Sequence, residues 1–270
     1  MSDATTAPDA AGTRSAGWIR AEVLIVLGLS LGQSAIYSIL SIADRLTQQK
    51  ALNEQSSSLN SSVTPDRPWL DLSYQVVNIA FPLVPVLLAL YLLWLHNPAG
   101  IRRPGQVIGF DLRRPGFDLG LGTLTALCIG IPGLGLYLGA RALGLNTQVQ
   151  ASGLGDNWWT VPVLILSAAE NAVVEEVIML GFLYTRLRQL TWRGQQLVWP
   201  VIIIVSALVR GSYHLYQGFG GFTGNLIMGV IFGLIYLKWK RVMPLVIAHT
   251  LLDIAAFVGY ALLAPHVSWL

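Results

Sequence analysis

The sequence has few of the residues that mark soluble, disulfide-bonded or nucleic-acid-binding proteins. Charged residues make up only 11% of its 270 residues, whereas a soluble domain carries about 25%. The formal net charge of +3 gives no support to a nucleic-acid partner. The single cysteine, Cys128, excludes an intrachain disulfide and a cysteine metal cluster. These absences exclude most soluble classes and favour a protein of the membrane.

Long apolar runs take the place of the missing charge, and 54% of the residues are hydrophobic. A spanning helix needs about 20 such residues. We predict seven spans, at residues 21–43, 70–95, 118–140, 160–183, 198–215, 221–237 and 243–263. The fifth and sixth are short, and the glycine-rich connection Gly218–Gly224 could turn back inside the membrane, so an eighth segment is an alternative. The predicted fold is an all-α polytopic bundle of seven to eight transmembrane helices.

The chain divides into three predicted parts. Residues 1–20 are expected to form a disordered tail, because they are rich in small and polar residues. Residues 21–158 are expected to hold the N-terminal transmembrane helices, with a polar external loop at 44–69. Residues 159–264 are expected to form a C-terminal helical core.

The lysines and arginines predict the orientation in the membrane. With the N-terminus in the cytoplasm, twelve of them fall in internal segments and four in external ones. Positive residues accumulate on the cytoplasmic side. We therefore predict a multi-pass protein of the cell membrane with a cytoplasmic N-terminus.

Two adjacent carboxylates, Glu175 and Glu176, stand inside the fourth apolar run. Each costs roughly 3 kcal/mol at bilayer depth, so the pair needs partners and a function. On a helix the two side chains point about 100° apart, so only one can face a given centre squarely. Burial and a second carboxylate suit one of them to act as a general base. The alternative is a structural role, in which the pair joins helices through ion pairs or hydrogen bonds.

Two histidines in other apolar runs are the candidate partners. His249 and Asp253 are four residues apart and share a helix face, while His214 stands near the end of the fifth run. At 1.5 Å of rise per residue, Glu175, His214, His249 and Asp253 lie about 16, 21, 12 and 18 Å from the predicted cytoplasmic ends. They can therefore meet near the midplane of a core about 30 Å thick. Glu170, five residues before Glu175, is expected to face elsewhere and is given no role.

These residues resemble the three motifs of the CPBP intramembrane proteases, a family also called Abi that includes the type II CAAX prenyl endopeptidase. The family pattern is Glu-Glu-x-x-x-Arg, then Phe-x-x-x-His, then His-x-x-x-Asn or Asp, on three helices. Glu175-Glu176, His214 and His249-Thr-Leu-Leu-Asp253 match it in order and spacing. The resemblance covers about residues 160–260 and implies that the core at 159–264 is catalytic. It implies hydrolysis of a peptide bond in a protein or peptide substrate at the bilayer surface.

The resemblance also implies a role for each matched residue. Glu175 would activate water together with His214, and Glu176 would fix the helices. His249, assisted by Asp253, would stabilise the oxyanion. The family is often described as metalloproteases, and Glu175, His214, His249 and Asp253 could bind Zn²⁺. A metal-free glutamate mechanism explains the same residues, and the sequence does not decide between them.

Two positions depart from the family pattern. The motif arginine falls at Leu180, and the motif phenylalanine falls at Arg210. Because a buried guanidinium needs a partner, we predict that Arg210 replaces the missing arginine and binds Glu176 through two hydrogen bonds. Asp253 stands where the family often has Asn. An ionised Asp cannot donate to an oxyanion, so it must be protonated or must orient His249.

Two other functions are compatible with the sequence. A catalytically silent membrane scaffold that regulates a partner protein is favoured by the loss of the motif arginine. A proton-coupled transporter would also use buried Glu and His, but we find no inverted repeat in the sequence.

Overall fold

The computed structural model describes residues 15–96, 103–264 and 266–267, and these residues are mostly helical, as predicted. The ten α-helices are α1 (Ala16–Gly28), α2 (Leu31–Thr47), α3 (Pro68–Ala80), α4 (Leu83–Leu95), α5 (Pro115–Ala142), α6 (Thr160–Glu176), α7 (Tyr184–Gln189), α8 (Trp199–Ser212), α9 (Phe219–Trp239) and α10 (Met243–Leu263). A π-helical segment, Val177–Leu183, joins α6 directly to α7. Prolines in the first turn help to start α3, α5, α8 and α10, where a missing N–H costs nothing.

Two short strands close one end of the bundle, which we call the capped end. Strand β1 (Ser56–Ser58) pairs in parallel with β2 (Gln148–Gln150). The same end holds the turn after α8, because the backbone N–H of Thr147 donates to the carbonyl of Gln217 over 2.8 Å. The loops before α3, after α5 and after α8 therefore form one cap.

The opposite end, which we call the arginine end, gathers the connections rich in basic residues. Backbone hydrogen bonds from Val242 to Ile108 and from Met243 to Gly109 join the loop before α5 to the turn between α9 and α10. The ammonium group of Lys240 lies 4.5 Å from the ring centroid of Trp199, so the start of α8 is at this end too. A short antiparallel pair, β3 (Thr191–Trp192) and β4 (Gln195–Gln196), follows α7 here.

A buried ion cluster fastens the arginine end. Arg241 donates to both carboxylate oxygens of Asp118 on α5 and to the carboxylate of Asp111. Burial alone would raise the pKa of Asp111, but the backbone N–H of Arg113 and the guanidinium of Arg241 hold that pKa below its ordinary value. Asp111 is therefore ionised at neutral pH and fixes the loop to α5 and the start of α10.

The predicted number of spans is not confirmed. Within the described residues, Pro68–Leu95, Pro115–Ala142, Phe219–Trp239 and Met243–Leu263 are long and apolar enough to cross a membrane, and the pair α1 and α2, bent by 56°, would make a fifth span. The described spans are fewer than the predicted seven to eight mainly because of α6, which carries three glutamates, and α8, which has only 14 residues.

Three local expectations also need correction. Helix α1 begins at Ala16, so the end of the expected tail is helical, while residues 1–14 lie outside the described residues. The loop expected at 44–69 is shorter, because α2 continues to Thr47 and α3 begins at Pro68. The glycine-rich segment after Gly218 forms the first turn of α9 and does not turn back. The described break within a span is instead between α1 and α2.

Candidate active site

The paired carboxylates stand at the point where α6 changes into the π-helical segment. Glu175 and Glu176 are the last two residues of α6, and Val177 begins the wider turn. Single π turns inside helices are frequent at functional sites. Glu176 is fully buried and Glu175 is 9% exposed. We expected only one of the two to face a given centre, but both carboxylates reach the same guanidinium.

Arg210 on α8 binds both carboxylates. Its Nη1 donates to Glu176 Oε2 over 3.2 Å, and its Nη2 donates to Glu176 Oε1. Nη2 also donates to Glu175 Oε2 over 2.9 Å. The predicted two-bonded contact between Arg210 and Glu176 is therefore present, and the guanidinium supplies a positive charge between the two acids. Because Arg210 is only 1% exposed, this ion pair is screened from water.

His249 on α10 lies against the other side of Glu176. The Nδ1 of His249 is 2.7 Å from Glu176 Oε1, so Nδ1 carries a proton and donates it to the carboxylate. The Nε2 of His249 lies 3.7 Å from Asp253 Oδ1, one helical turn further along α10. Asp253 is itself held by Asn171 on α6, whose amide donates to Asp253 Oδ2 over 3.4 Å. His249 thus lies between two carboxylates, as the i,i+4 spacing with Asp253 predicts.

His214 faces Glu175 from the turn that follows α8. Its Nδ1 lies 3.1 Å from the backbone carbonyl of Arg210, so Nδ1 is the protonated nitrogen. Its Nε2 points to Glu175 Oε1 at 4.0 Å. Glu175 Oε2 is already bound by Arg210 and by the hydroxyl of Tyr213, which donates over 2.7 Å. The second oxygen, Oε1, is therefore the one turned to His214.

These groups line one cavity of about 730 Å³. Glu175, His214, His249 and Asp253 all contribute to its wall. The acidic and imidazole side chains of three separate helical elements therefore converge, as their common depth predicts. Glu175, Glu176 and His249 place ligand-type atoms within 4.8 Å of one another.

Sequence reasoning missed three members of this site. Glu170 also lines the cavity, although we expected it to face elsewhere. Asn171 precedes Glu175 by one helical turn, so helical spacing alone would have placed it beside the site. Tyr213 was given no role from the sequence, but its hydroxyl donates to Glu175. Its position next to His214 was the available signal.

The residues present do not fit a zinc ion well. Glu175, Glu176 and His249 are close enough to share a ligand. However, Arg210 Nη2 already contacts Glu175 Oε2 and Glu176 Oε1 and lies 3.3 Å from His249 Nδ1. A divalent cation at the same point would lie against a guanidinium. Of the four expected ligands, His214 and Asp253 are not part of this group.

Comparison with known families confirms the resemblance inferred from the three motifs. Residues 157–255 match the family model described as type II CAAX prenyl endopeptidase Rce1-like. The matched range covers just over a third of the chain and includes α6 to α9 and more than half of α10. The family implies protease activity at a membrane. No curated protein and no solved structure matches the chain.

Proposed function

We propose that the Rce1-like domain is an intramembrane endopeptidase that hydrolyses a peptide bond near the membrane surface. The observation that carries this proposal is the facing pair of Glu175 Oε1 and His214 Nε2, 4.0 Å apart in the wall of the cavity. A water molecule between two acceptors at this separation can hydrogen bond to both. A peptide or protein at the bilayer is the substrate that the family match implies.

Glu175 acts as the general base. Because Nδ1 of neutral His214 is protonated towards the carbonyl of Arg210, its Nε2 has a free lone pair that accepts one hydrogen bond from the water. Glu175 Oε1 takes the other proton as the water oxygen attacks the carbonyl carbon of the substrate. Arg210 and Tyr213 hold the opposite oxygen, Oε2, so the carboxylate is fixed for this transfer. Glu175 then returns the proton to the departing amine.

His249 stabilises the negative oxygen of the tetrahedral intermediate. Its Nδ1–H is occupied by Glu176, which leaves Nε2–H as the free donor. A proton on each nitrogen makes His249 an imidazolium, which the carboxylates of Glu176 and Asp253 favour. Asp253, at 3.7 Å from Nε2, orients the ring and does not itself donate. A positioned donor of this kind contributes about 10²–10³ to the rate.

The arrangement of Arg210 favours an enzyme over a silent scaffold. The scaffold alternative rested on the missing motif arginine at position 180. Arg210 supplies the same charge to the same acid pair from a different helix. The site therefore keeps its base, its histidine partner and its cation together.

Replacing Glu175 by Gln tests the proposal. The amide keeps the shape of the side chain and can still accept from Arg210 and Tyr213, but it cannot take a proton from water. General-base catalysis contributes about 10²–10⁴, so we expect cleavage to fall by at least 100-fold. The measurement compares newly formed peptide ends in the membrane proteome of cells that express the wild type or the Glu175→Gln variant.

The matched control is Glu54→Gln, the same substitution at an exposed glutamate of the capped end. It should leave every wild-type peptide end in place. A thermal melt of each purified variant checks folding. If folded Glu175→Gln protein produces the same ends as the wild type, the peptidase proposal is wrong.

A further inference from the structure

The cavity of the candidate active site reaches the capped end of the molecule. Four of its lining residues, Leu59, Asn60, Tyr216 and Gln217, belong to the loops of the capped end. Within the described residues, none of the lining residues belongs to the connections of the arginine end. The route from bulk water to Glu175 therefore begins at the capped end.

Apolar packing seals the opposite side. Between Glu175 and the arginine end, the π-helical segment is buried throughout, with Leu180 and Phe182 at 1% and 0% exposure. Ile108, from the loop at the arginine end, packs so tightly on this segment that a Cβ added to Gly181 would clash with Ile108 Cδ1. Ile108 is itself 1% exposed. A hydrated path from the arginine end would have to break this core.

The junctions between α1 and α2 and between α3 and α4 form one side of the cavity. Exposed polar residues Gln33, Ser34 and Asn78 stand where α2 begins and where α3 approaches its end, and all three line the cavity. Two exposed apolar residues line the cavity as well, with Phe81 at 69% and Leu29 at 60% exposure. A wall that offers both polar and apolar side chains suits a polypeptide segment that arrives along the membrane.

The basic residues identify which side of the membrane this end faces. The four lysines and arginines assigned to external segments, Arg45, Lys50, Arg67 and Arg141, lie in or beside the capped end. Those assigned to internal segments lie at the arginine end, apart from Arg14 and Arg102, which lie outside the described residues. The positive-inside rule therefore places the capped end outside the cytoplasm.

We infer that the active site is reached from the extracytoplasmic side, and that its substrates are membrane-anchored proteins cut in a segment that emerges on that side. The inference rests on the proposed peptidase function. It excludes a peptide whose scissile bond is confined to the cytoplasm, such as a cytoplasmic C-terminus.

Thiol labelling in intact cells tests the direction of the opening without requiring turnover. In a Cys128→Ala background, single cysteines replace Gln217 in the cavity wall, Ser58 at the capped end and Trp192 at the arginine end. The probe is a cationic, membrane-impermeant thiosulfonate, because three acidic residues, Glu170, Glu175 and Asp253, line the cavity. We expect Gln217→Cys and Ser58→Cys to react in intact cells, and Trp192→Cys to react only after permeabilisation.

The opposite pattern would overturn the inference. If Gln217→Cys reacts only after permeabilisation, together with Trp192→Cys, the cavity opens to the cytoplasm. If Ser58→Cys reacts from outside but Gln217→Cys stays unreactive until the protein is denatured, the cavity is closed at the capped end and the inference also fails.

The positions of cleavage test the substrate class separately. Peptide ends that depend on Glu175 should map to extracytoplasmic segments next to a membrane anchor. Ends that map to cytoplasmic segments would overturn the inference while leaving the peptidase proposal intact. An absence of Glu175-dependent ends would defeat the peptidase proposal and the substrate class together, whereas the labelling result would still decide the direction of the opening.

Discussion

At the scale of single residues, the site keeps a positive charge beside its two glutamates, but that charge comes from a different helix than in the family motif. Leu180, at the position of the motif arginine, is 1% exposed and packs in the apolar core. Arg210 occupies the position of the motif phenylalanine and reaches both carboxylates from α8. Its guanidinium carbon also lies 5.4 Å from the ring centroid of Phe232. The aromatic ring and the acids together compensate the cost of burying the cation.

Arg210→Leu should be strongly destabilising. The change leaves two buried carboxylates without their cation, and breaking a buried ion pair in this way costs about 3–5 kcal/mol. Arg210→Lys is the matched comparison, because it keeps the charge but loses the fork that binds both oxygens of Glu176. We expect the order wild type, Lys, Leu in thermal melts of the purified protein.

The double variant Leu180→Arg with Arg210→Phe restores the family arrangement and should recover much of the loss. An arginine at position 180 and an arginine at position 210 would each bind the same acid pair. The effects of the two substitutions on stability are therefore expected to be non-additive. A melting temperature of Arg210→Leu within error of the wild type would show that the guanidinium is not needed to compensate the acids.

The residues of the site were largely predictable because charge inside an apolar run is costly. Glu175, Glu176, Arg210 and the His249–Asp253 pair each broke the apolar pattern and therefore required one another. Tyr213 was not predictable in this way, because a tyrosine near a helix end is common whether or not its hydroxyl has a buried partner.

At the scale of elements, the turn that carries His214 is fixed by parts of the chain outside the family match. Gly218 has φ 112° and ψ −178°, a conformation that is essentially restricted to glycine. The backbone N–H of Phe219 donates to Leu145, and Asn146 accepts from the N–H of Gly221 over 2.9 Å. Ser57 donates to the carbonyl of Tyr216 over 2.9 Å. The cap therefore positions His214 opposite Glu175.

Gly218→Ala should loosen this turn. The added Cβ would lie 2.6 Å from the carbonyl oxygen of Leu145, and the backbone conformation itself costs about 1–3 kcal/mol for a residue with a side chain. We expect a lower melting temperature and, because His214 moves away from Glu175, a loss of cleavage larger than the loss of folded protein. Cleavage per folded molecule is the quantity to measure.

Gly139→Ala in α5 is the control for this prediction. A Cβ at Gly139 meets nothing within 4 Å, and alanine favours a helix more than glycine does. This variant should be as stable as the wild type or more so. If Gly218→Ala behaves like Gly139→Ala, the cap does not determine the position of His214.

Some elements could not be read from the sequence because their cause is tertiary. The π-helical segment Val177–Leu183 has an ordinary apolar composition, and its wide turn accompanies the close packing of Ile108 on Gly181. The bend between α1 and α2 falls at Leu29 and Ser30, inside a run whose hydropathy predicts one continuous span. Hydropathy measures transfer into lipid and is insensitive to such local geometry.

At the scale of the whole molecule, the basic residues are divided between the two ends in the same way as the loops that carry them. Residues distant in sequence meet at each end, as β1 meets β2 at the capped end and Ile108 meets Val242 at the arginine end. The number of spans is less clear from composition, because α6 must carry acids for the site and so loses the apolar character that identifies a span. The glutamates that the site needs thus lower the hydropathy by which α6 would be recognised as a span.

Reporter fusions test the orientation that the charge separation predicts. A reporter that is active only in the cytoplasm should be active when fused after Arg114, at the arginine end, and silent when fused after Ser58, in the cap. A reporter that is active only outside the cytoplasm should give the opposite pattern. The twelve-to-four distribution of lysine and arginine is the physical reason, since translocating each positive residue is unfavourable. The reverse pattern at both fusion points would contradict the N-in topology. It would also turn the cavity, which opens at the capped end, towards the cytoplasm.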